Sequence, residues 1–544
     1  MTTRHYDNAY LDLFAHVGGR IRIGASMRPN PIVSVETSGK SLKAGKFAGS
    51  ATVTLRDTAQ LRAAAGGRKL IDYLRDDDWA ILYSGEAGGF SDLELLALDT
   101  ITEHTQVRGG GPTVTHYQLA FRDWAKVIDD TEVWFCEWGK APNYAGANYF
   151  DLLQQYSGPP DQVCKKLVDG FLSPRAGDAG VWQLPPGLAW EFGALESVAL
   201  ERIAEPVGVA QIMDTSFYVA KARGAGFQAS PPGSSFGLAS LLREWSNPIM
   251  NELFFDVRAG GDGRVLPCMI MREQPFPAYL EDSWNAWGQL PVVTVPRSAV
   301  LSSSLSIGGA ERFNVFSLMP DNEVLSQMEQ KGMYPPTYAP GSVKRHGIKS
   351  YEVGTRYVSM LRGDDPEELP DGQPVDEPRR WMWLLHSWHG IGAELKSGSI
   401  ELRGAWPNIR IGRRLTVGRG PTPQHDPERL NVYIEGVSRV WDPGDGWRTT
   451  VDAVRGYNGD DSVVRRLIGL HFSDLQSSVA EETAEIGGAV RATSWAPPAL
   501  VPQAGGFSAA APLGLIPTQT VVPRGRDVLA GPGGATLAGR KVSS

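Results

Sequence analysis

Two separated stretches of this chain alternate apolar with small or polar residues over short runs, and that alternation restricts the fold more than any other feature. A period of two suits a half-buried strand and no other regular element. In the first stretch, Pro31–Glu36 (PIVSVE), Gly49–Leu55 (GSATVTL), Trp79–Tyr83, Leu93–Ile101 and Thr113–Phe121 read as strands. SGKSLKAGK reads as a loop and KLIDYLR (69–75) as one short helix. In the second stretch, residues 381–457, strands are expected at Ser399–Arg403, Ile409–Val417, Val432–Trp441 and Trp447–Arg455, with DPGDG (442–446) as the tight connection. Glycine and proline together make up 100 of 544 residues, about 18%. That excess favours many turns and short strands over long helices.

Between the two stretches the pattern changes. DQVCKKLVDGFL (161–172) and Leu195–Ala204 read as helices. Leu238, Leu241, Leu242 and Trp245 fall at helical spacing, with Ser234 or Ser235 as N-cap and Asn247-Pro248 as the stop. NELFFDV (251–257) and RVLPCMIM (264–271), joined by AGGDG, form a hairpin candidate, and Phe313–Leu318 a further strand. Gly332–Gly341 and Gly363–Arg380 read as loops; the second holds seven acids and four prolines. Val463, Leu467 and Leu470 suggest an amphipathic helix. The fold class expected is therefore mainly β with α+β insertions, in several domains.

Composition excludes some functions. The chain has 42% apolar and 21% charged residues, ordinary for a folded soluble protein. Its net charge of −8 gives no basic stripe of the kind a nucleic-acid binder carries. No apolar run reaches the length of a membrane helix, and MTTRHYDNAYLDLF lacks a signal-peptide core. Cys136, Cys164 and Cys268 lie too far apart for a metal knuckle and read as buried thiols.

The familiar chemistries find no anchor. His386 and His389 in HSWHG could share a helix face, but they lack a third ligand, and WMWLLHSWHG reads as a strand, which would point them apart. Gly534–Arg540 departs from a phosphate loop, with Arg where Lys is needed. There is no G-x-S-x-G elbow. Acidic pairs (Glu36/Asp57, Asp76–Asp78, Glu367/Glu368) read as solvated surface carboxylates rather than a glycosidase pair. The clustered tryptophans (Trp134/Trp138, Trp284/Trp287, Trp381/Trp383/Trp388) suit core or interface anchoring, or a sugar-stacking surface. No residue is assigned a catalytic, cofactor-binding or metal role, and no enzyme activity or cofactor is expected.

Two segments carry a resemblance: SFGLASLLREWSNPIMNELFFDV (235–257) and YIEGVSRVWDPGDGWRTTVDAVRG (433–456). Together with RHGIKSYEV (345–353) and GAWPNIRIGRRLTV (404–417), they are similar to segments of bacteriophage tail baseplate hub proteins, the group of late control protein D relatives and contractile-tail hubs. The match covers about residues 235–460 and carries no catalytic residue. The acidic loop 363–380 and the chain beyond Arg491 depart from the hub pattern.

The resemblance implies an architecture. It implies a first tube-like β-barrel over 1–130, a mixed helical domain over 131–250 and a hairpin-containing hub domain over 251–344. A second tube-like barrel over 345–460 follows; beyond the resemblance, the residues themselves read as a helix over 461–490 and an extended Pro/Gly-rich arm over 491–544. The implied protein is a homotrimeric adaptor in the virion's tail baseplate, assembled in the host bacterial cytoplasm. Its implied neighbours are tail tube or tube-initiator proteins, the central spike, other baseplate proteins and the tape measure protein. DNA is implied only as passing cargo. The alternatives are a glycan-binding or glycan-cleaving envelope protein and a receptor-binding tail-tip adaptor.

Charge is unevenly distributed. Arg491, Arg524, Arg526, Arg540 and Lys541 stand against Asp527, so residues 491–544 carry +4 and residues 1–490 carry −12. With seven prolines and eight glycines the arm cannot build a core of its own, so any order in it must come from contacts elsewhere. The arm is expected to lie on a neighbouring subunit, anchored by Leu513, Leu515 and Ile516 and steered by its arginines.

Overall fold

Alternation at the N-terminal end does become strands. In the computed structural model, β1 (Asn8–Phe14), β2 (Arg20–Gly24), β3 (Ile32–Ser41), β4 (Ser50–Arg56), β5 (Trp79–Glu86), β6 (Gly89–Val107) and β7 (Thr113–Asp123) pair antiparallel in the order β2-β1-β5-β6-β7-β4-β3. The structure describes most of residues 8–134, 235–320, 336–355 and 382–477, with short breaks inside those spans, and also Cys164 and Val168. β3 extends through Ser41, so the expected loop SGKSLKAGK begins as strand. α1 (Ala59–Ala64) starts at Thr58, whose hydroxyl accepts from the Leu61 amide at 3.1 Å. α2 (Leu70–Tyr73) is the short helix expected there.

This half of the sheet curls. β1 and β3 are five strands apart, which in a flat sheet is about 24 Å. Yet their Cα atoms approach within 8 Å. Alternate residues of every strand therefore face one core, including Leu11, Ile23, Val35, Val53, Leu82, Leu98 and Leu119.

α3 (Lys126–Asp130) and β8 (Glu132–Trp134) follow; β8 pairs with β9 (Ser235–Gly237), which leads into α4 (Leu238–Trp245). The helix is capped by Gly237 rather than by Ser234 or Ser235, because the residues before it are held in that strand pair. Leu238 and Leu242 are buried as the spacing predicts. β10 (Asn251–Ala259) and β11 (Val265–Glu273) form the expected hairpin in unbroken register. It is wedged into the molecule. Phe254 belongs to the core of the C-terminal strands, while Phe255 packs edge-on against Trp124 at 5.3 Å, on the other side of the hairpin.

The remaining elements are α5 (Ala286–Gln289), β12 (Val292–Pro296), β13 (Val300–Ile307), β14 (Val315–Pro320), β15 (Thr337–Tyr338), α6 (Pro340–His346), β16 (Ser350–Thr355), a π-helical turn (His386–Gly390), β17 (Lys396–Arg403), β18 (Arg414–Gly418), β19 (Leu430–Asp442), β20 (Gly446–Asn458), α7 (Ser462–Phe472) and β21 (Gln476–Ser477). β13-β17-β20-β19 run antiparallel. One edge of β19 is shared: Leu430–Tyr433 pair with β18, and Gly436–Trp441 pair with β3. β12 adds to β18 in parallel. The two halves of the chain thus form one 13-stranded sheet, and the fold is mainly β. β12 and β13 pair within this sheet although they precede residue 345 in the chain. A small sheet, β16-β14-β15-β21, lies over α7 and the π-helical turn in a separate aromatic core.

Four local expectations are corrected. HSWHG is π-helical, not a strand. Within the loop expected over Gly332–Gly341, Thr337–Tyr338 pair as a strand and Pro340 opens a helix that runs on to His346. Ile409–Arg413 turns before the strand begins at Arg414. α7 buries Val464, Ile468 and Phe472, while Leu470 is 64% exposed. The helices expected at 161–172 and 195–204, the loop 363–380 and the arm 491–544 lie outside the described residues, apart from Cys164 and Val168.

Candidate functional site

The histidine motif builds a buried cluster. The π-helical turn brings the two residues into one environment, where a strand would have separated them. His386 is fully buried, with its ring against Phe316. Its Nε2 is 2.6 Å from Thr337 Oγ1 and its Nδ1 is 3.0 Å from Nε2 of His471 on α7. His389 stacks on Tyr351 at 4.3 Å. The turn can approach α7 this closely because residue 390 is glycine: a Cβ there would sit 2.3 Å from His471 Nε2. Burial and the neighbouring His471 push His386 well below its ordinary range, and burial pulls His471 from 6.5 to about 4. Two neutral imidazoles sharing one proton between facing nitrogens form a hydrogen bond; two imidazolium rings would repel. Among the described residues, no three His, Cys, Asp or Glu side chains gather as a metal site.

Sequence reasoning missed a set of buried ion pairs. Arg439 on β19, 2% exposed, meets Glu94 on β6 at 3.1 Å. It also donates to the Ala405 carbonyl at 2.9 Å and the Ile409 carbonyl at 2.6 Å. Arg410 pairs with Asp256 on the hairpin at 2.8 Å. Arg272 pairs with Glu252 at 2.9 Å and donates to the Gly412 carbonyl at 2.6 Å. Tyr433 donates to Glu252 at 2.7 Å, its hydroxyl held well above the phenol range by burial and then by that carboxylate. Arg439–Glu94 and Arg410–Asp256 join segments more than a hundred residues apart, while Arg272–Glu252 lies within the hairpin and is tied to the C-terminal strands through Gly412 and Tyr433. A signal for them was present. Val437, Arg439 and Trp441 share strand parity, as do Glu94, Leu96 and Leu98, so Arg439 and Glu94 occupy core-facing positions.

Gly412 sits at this junction with φ +74°, and a Cβ there would lie 2.5 Å from Phe254 and 2.7 Å from Arg272 Nη2. Gly412→Ala should destabilise the protein by about 2–4 kcal/mol, combining left-handed backbone strain with overpacking. Chemical denaturation measures it; a change below about 0.5 kcal/mol would mean the hairpin yields freely.

The other candidates resolve as structure. Asp78 is buried and accepts from the amides of His16 and Arg75, each at 2.8 Å. Asp57 pairs with Arg62, and Glu36 and Asp76 are exposed. Trp441 and Trp447 are buried with ring centroids 6.5 Å apart, and Trp287 lies 6.4 Å from Trp388 in the aromatic core. These rings anchor cores rather than offering stacking platforms. Cys164 and Cys268 are buried, and their thiols donate to the carbonyls of Leu242 and Met269. Cys136, Trp138, Trp284, Trp381, Glu367, Glu368 and Gly534–Arg540 lie outside the described residues, as do the side chains of Trp134 and Trp383. A cavity of about 470 Å³ beside the β19–β20 turn is lined by Asn8, Asn30, Arg56, Trp441 and Asp445 among others, and contains no nucleophile–base pair.

No family model matches the chain, and no curated protein matches it. Solved structures similar to it include a tail protein from Neisseria meningitidis MC58, with TM-score 0.40 and 10% identity over 82% of this chain and 96% of that one. The 43 kDa tail protein of prophage MuSo2 from Shewanella oneidensis has TM-score 0.40 and 10% identity, covering 82% and 97%. The E. coli c3393 protein, a type VI secretion component described as similar to phage T4 tail proteins gp27 and gp5, has TM-score 0.35 and 6% identity, covering 79% and 76%.

Proposed function

We propose that this chain is a structural hub of a bacteriophage-type tail or a related injection device, without enzymatic activity. Three copies would form a ring that joins a sixfold tail tube to a threefold central spike and encloses part of the DNA channel. The observation that carries this reading is the β3–β19 pairing. It sets two strand-rich halves of one chain edge to edge, so three chains present six such units. The hub-like motifs support it, since the segment 433–456 is the β19–β20 hairpin that makes the join. Buried ion pairs across the same junction keep the halves in fixed relation, as a conduit under load requires.

In this reading, other baseplate proteins and the tape measure protein contact the ring, the arm 491–544 lies on a neighbouring copy, and DNA passes without binding. A neutral to acidic lumen follows, since a basic wall would hold the phosphates. Native mass spectrometry and electron microscopy of the full chain test the reading. A trimer with an axial channel is expected; a monomer at every concentration, or turnover of peptidoglycan by the pure protein, would overturn it.

A further inference from the structure

We propose that the free edge of β13 is where one copy of this chain accepts an extended strand from a second copy; the inference rests on the ring reading above. Among the described strands β13 pairs only with β17, and it ends the 13-stranded sheet. Its sequence, VLSSSLSI, has eight residues, no charge and no proline.

The two ends of the main strand path are built differently; β12 is a branch off β18. β2, at the other end, is five residues long and carries Arg20 and Arg22, both bound to the buried carboxylate of Asp12. Short length and charge are what proteins use to keep an edge from pairing. β13 is longer and has neither protection. Among the described strands, one end of that path is blocked and the other is open.

The two faces of β13 specify what would fit. Val300 lies opposite Leu402 and Ser303 opposite Ile400, and both of those partners are core residues. The same face continues to Leu305, half-buried, and to Ile307, which is 59% exposed. The core face therefore runs onto the edge strand and stops uncovered. The opposite face presents Ser302, Ser304 and Ser306, opposite Glu401, Ser399 and Ser397. An incoming strand would need apolar side chains on one face and small polar ones on the other.

Two observations make a second copy the occupant. The chain already joins its own halves by antiparallel edge pairing at β3–β19. Residues 1–490 also carry a net charge of −12, so copies repel except where charge is absent, and β13 is such a place.

The test uses the full chain and the variant Ile307→Lys. Ile307 is 59% exposed at the sheet margin, so the monomer's melting temperature should stay unchanged while self-association weakens about tenfold or more, read by analytical ultracentrifugation. Hydrogen exchange on the wild-type assembly gives a measurement independent of the variant: the amides of residues 300–307 should exchange more slowly in the assembly than in dilute monomer. A wild-type monomer would overturn the ring reading and this inference together. An intact wild-type assembly that the variant leaves unchanged, or whose β13 amides exchange as in the monomer, would overturn the edge assignment alone.

Discussion

Replacing Arg439 with alanine should destabilise the protein by about 3–5 kcal/mol, the largest effect expected of any single charged residue here. The reason is what stays behind. Glu94 is 5% exposed, so its carboxylate would remain buried beside a cavity with no guanidinium. The Ile409 carbonyl would lose its guanidinium donor as well, worth about 1–3 kcal/mol when left unsatisfied, while the Ala405 carbonyl would keep the Thr449 hydroxyl. An apolar double replacement, Arg439→Met with Glu94→Leu, removes the stranded charge but does not restore the donor to Ile409. It should therefore recover only part of the loss. Urea denaturation of the wild type, Arg439→Ala, Arg439→Met, Glu94→Leu and the double variant gives the single effects and their coupling. Were Arg439→Ala to cost less than about 1 kcal/mol, the halves would not be held by this pair.

Acidification should unlock the histidine cluster. His471 titrates at about 4 in the fold against an ordinary 6.5, and His386 is shifted in the same direction. A histidine whose folded pKa is depressed stabilises the fold fully above its unfolded pKa and loses that contribution as pH falls toward the folded one. The loss should therefore develop between about pH 6.5 and pH 4. His471 alone accounts for about 3 kcal/mol across that window. The groups around the pair do not reverse the sign. Asp474 raises His471 only partly, and His389 adds to the depression of His386. The paired carboxylates Asp12 and Asp99 are held below 3.8 and contribute mainly at lower pH. Melting temperatures at pH 7, 5.5 and 4.5 should fall steadily in the wild type and more shallowly in His471→Gln. A wild-type curve that is flat across this range would show that the pair opens to solvent without cost.

Much of the fold was legible for a local reason. Strand parity is set by backbone pleat, so PIVSVE, TVTHYQLAF and NELFFDV announced themselves. The misreadings arose where a neighbour decides the outcome. WMWLLHSWHG is apolar enough for either a strand or a buried helix, and packing against α7 selects the π-helical turn. In α7 the expected Val463 and Leu467 pack at the margin of the aromatic core, but its centre takes up Val464, Ile468 and Phe472, and Leu470 is left exposed. Arg439 and Glu94 were visible as charges on core-facing parity, but their being partners was not. They are 345 residues apart, and each alone looks like an error in a strand.

The sequence by itself determined the strand-rich composition and the parity of the strands with clear alternation, because these follow from steric and hydrophobic rules acting over a few residues. The tertiary structure alone decided that β19 leaves β18 halfway along and takes β3 as its neighbour. It also decided that one sheet edge is guarded by arginines while the opposite one, among the described strands, pairs on one side only. Backbone hydrogen-bonding groups are the same in every strand, so no local pattern says which edge finds which. That choice is made by side-chain packing and buried charge pairing between segments hundreds of residues apart.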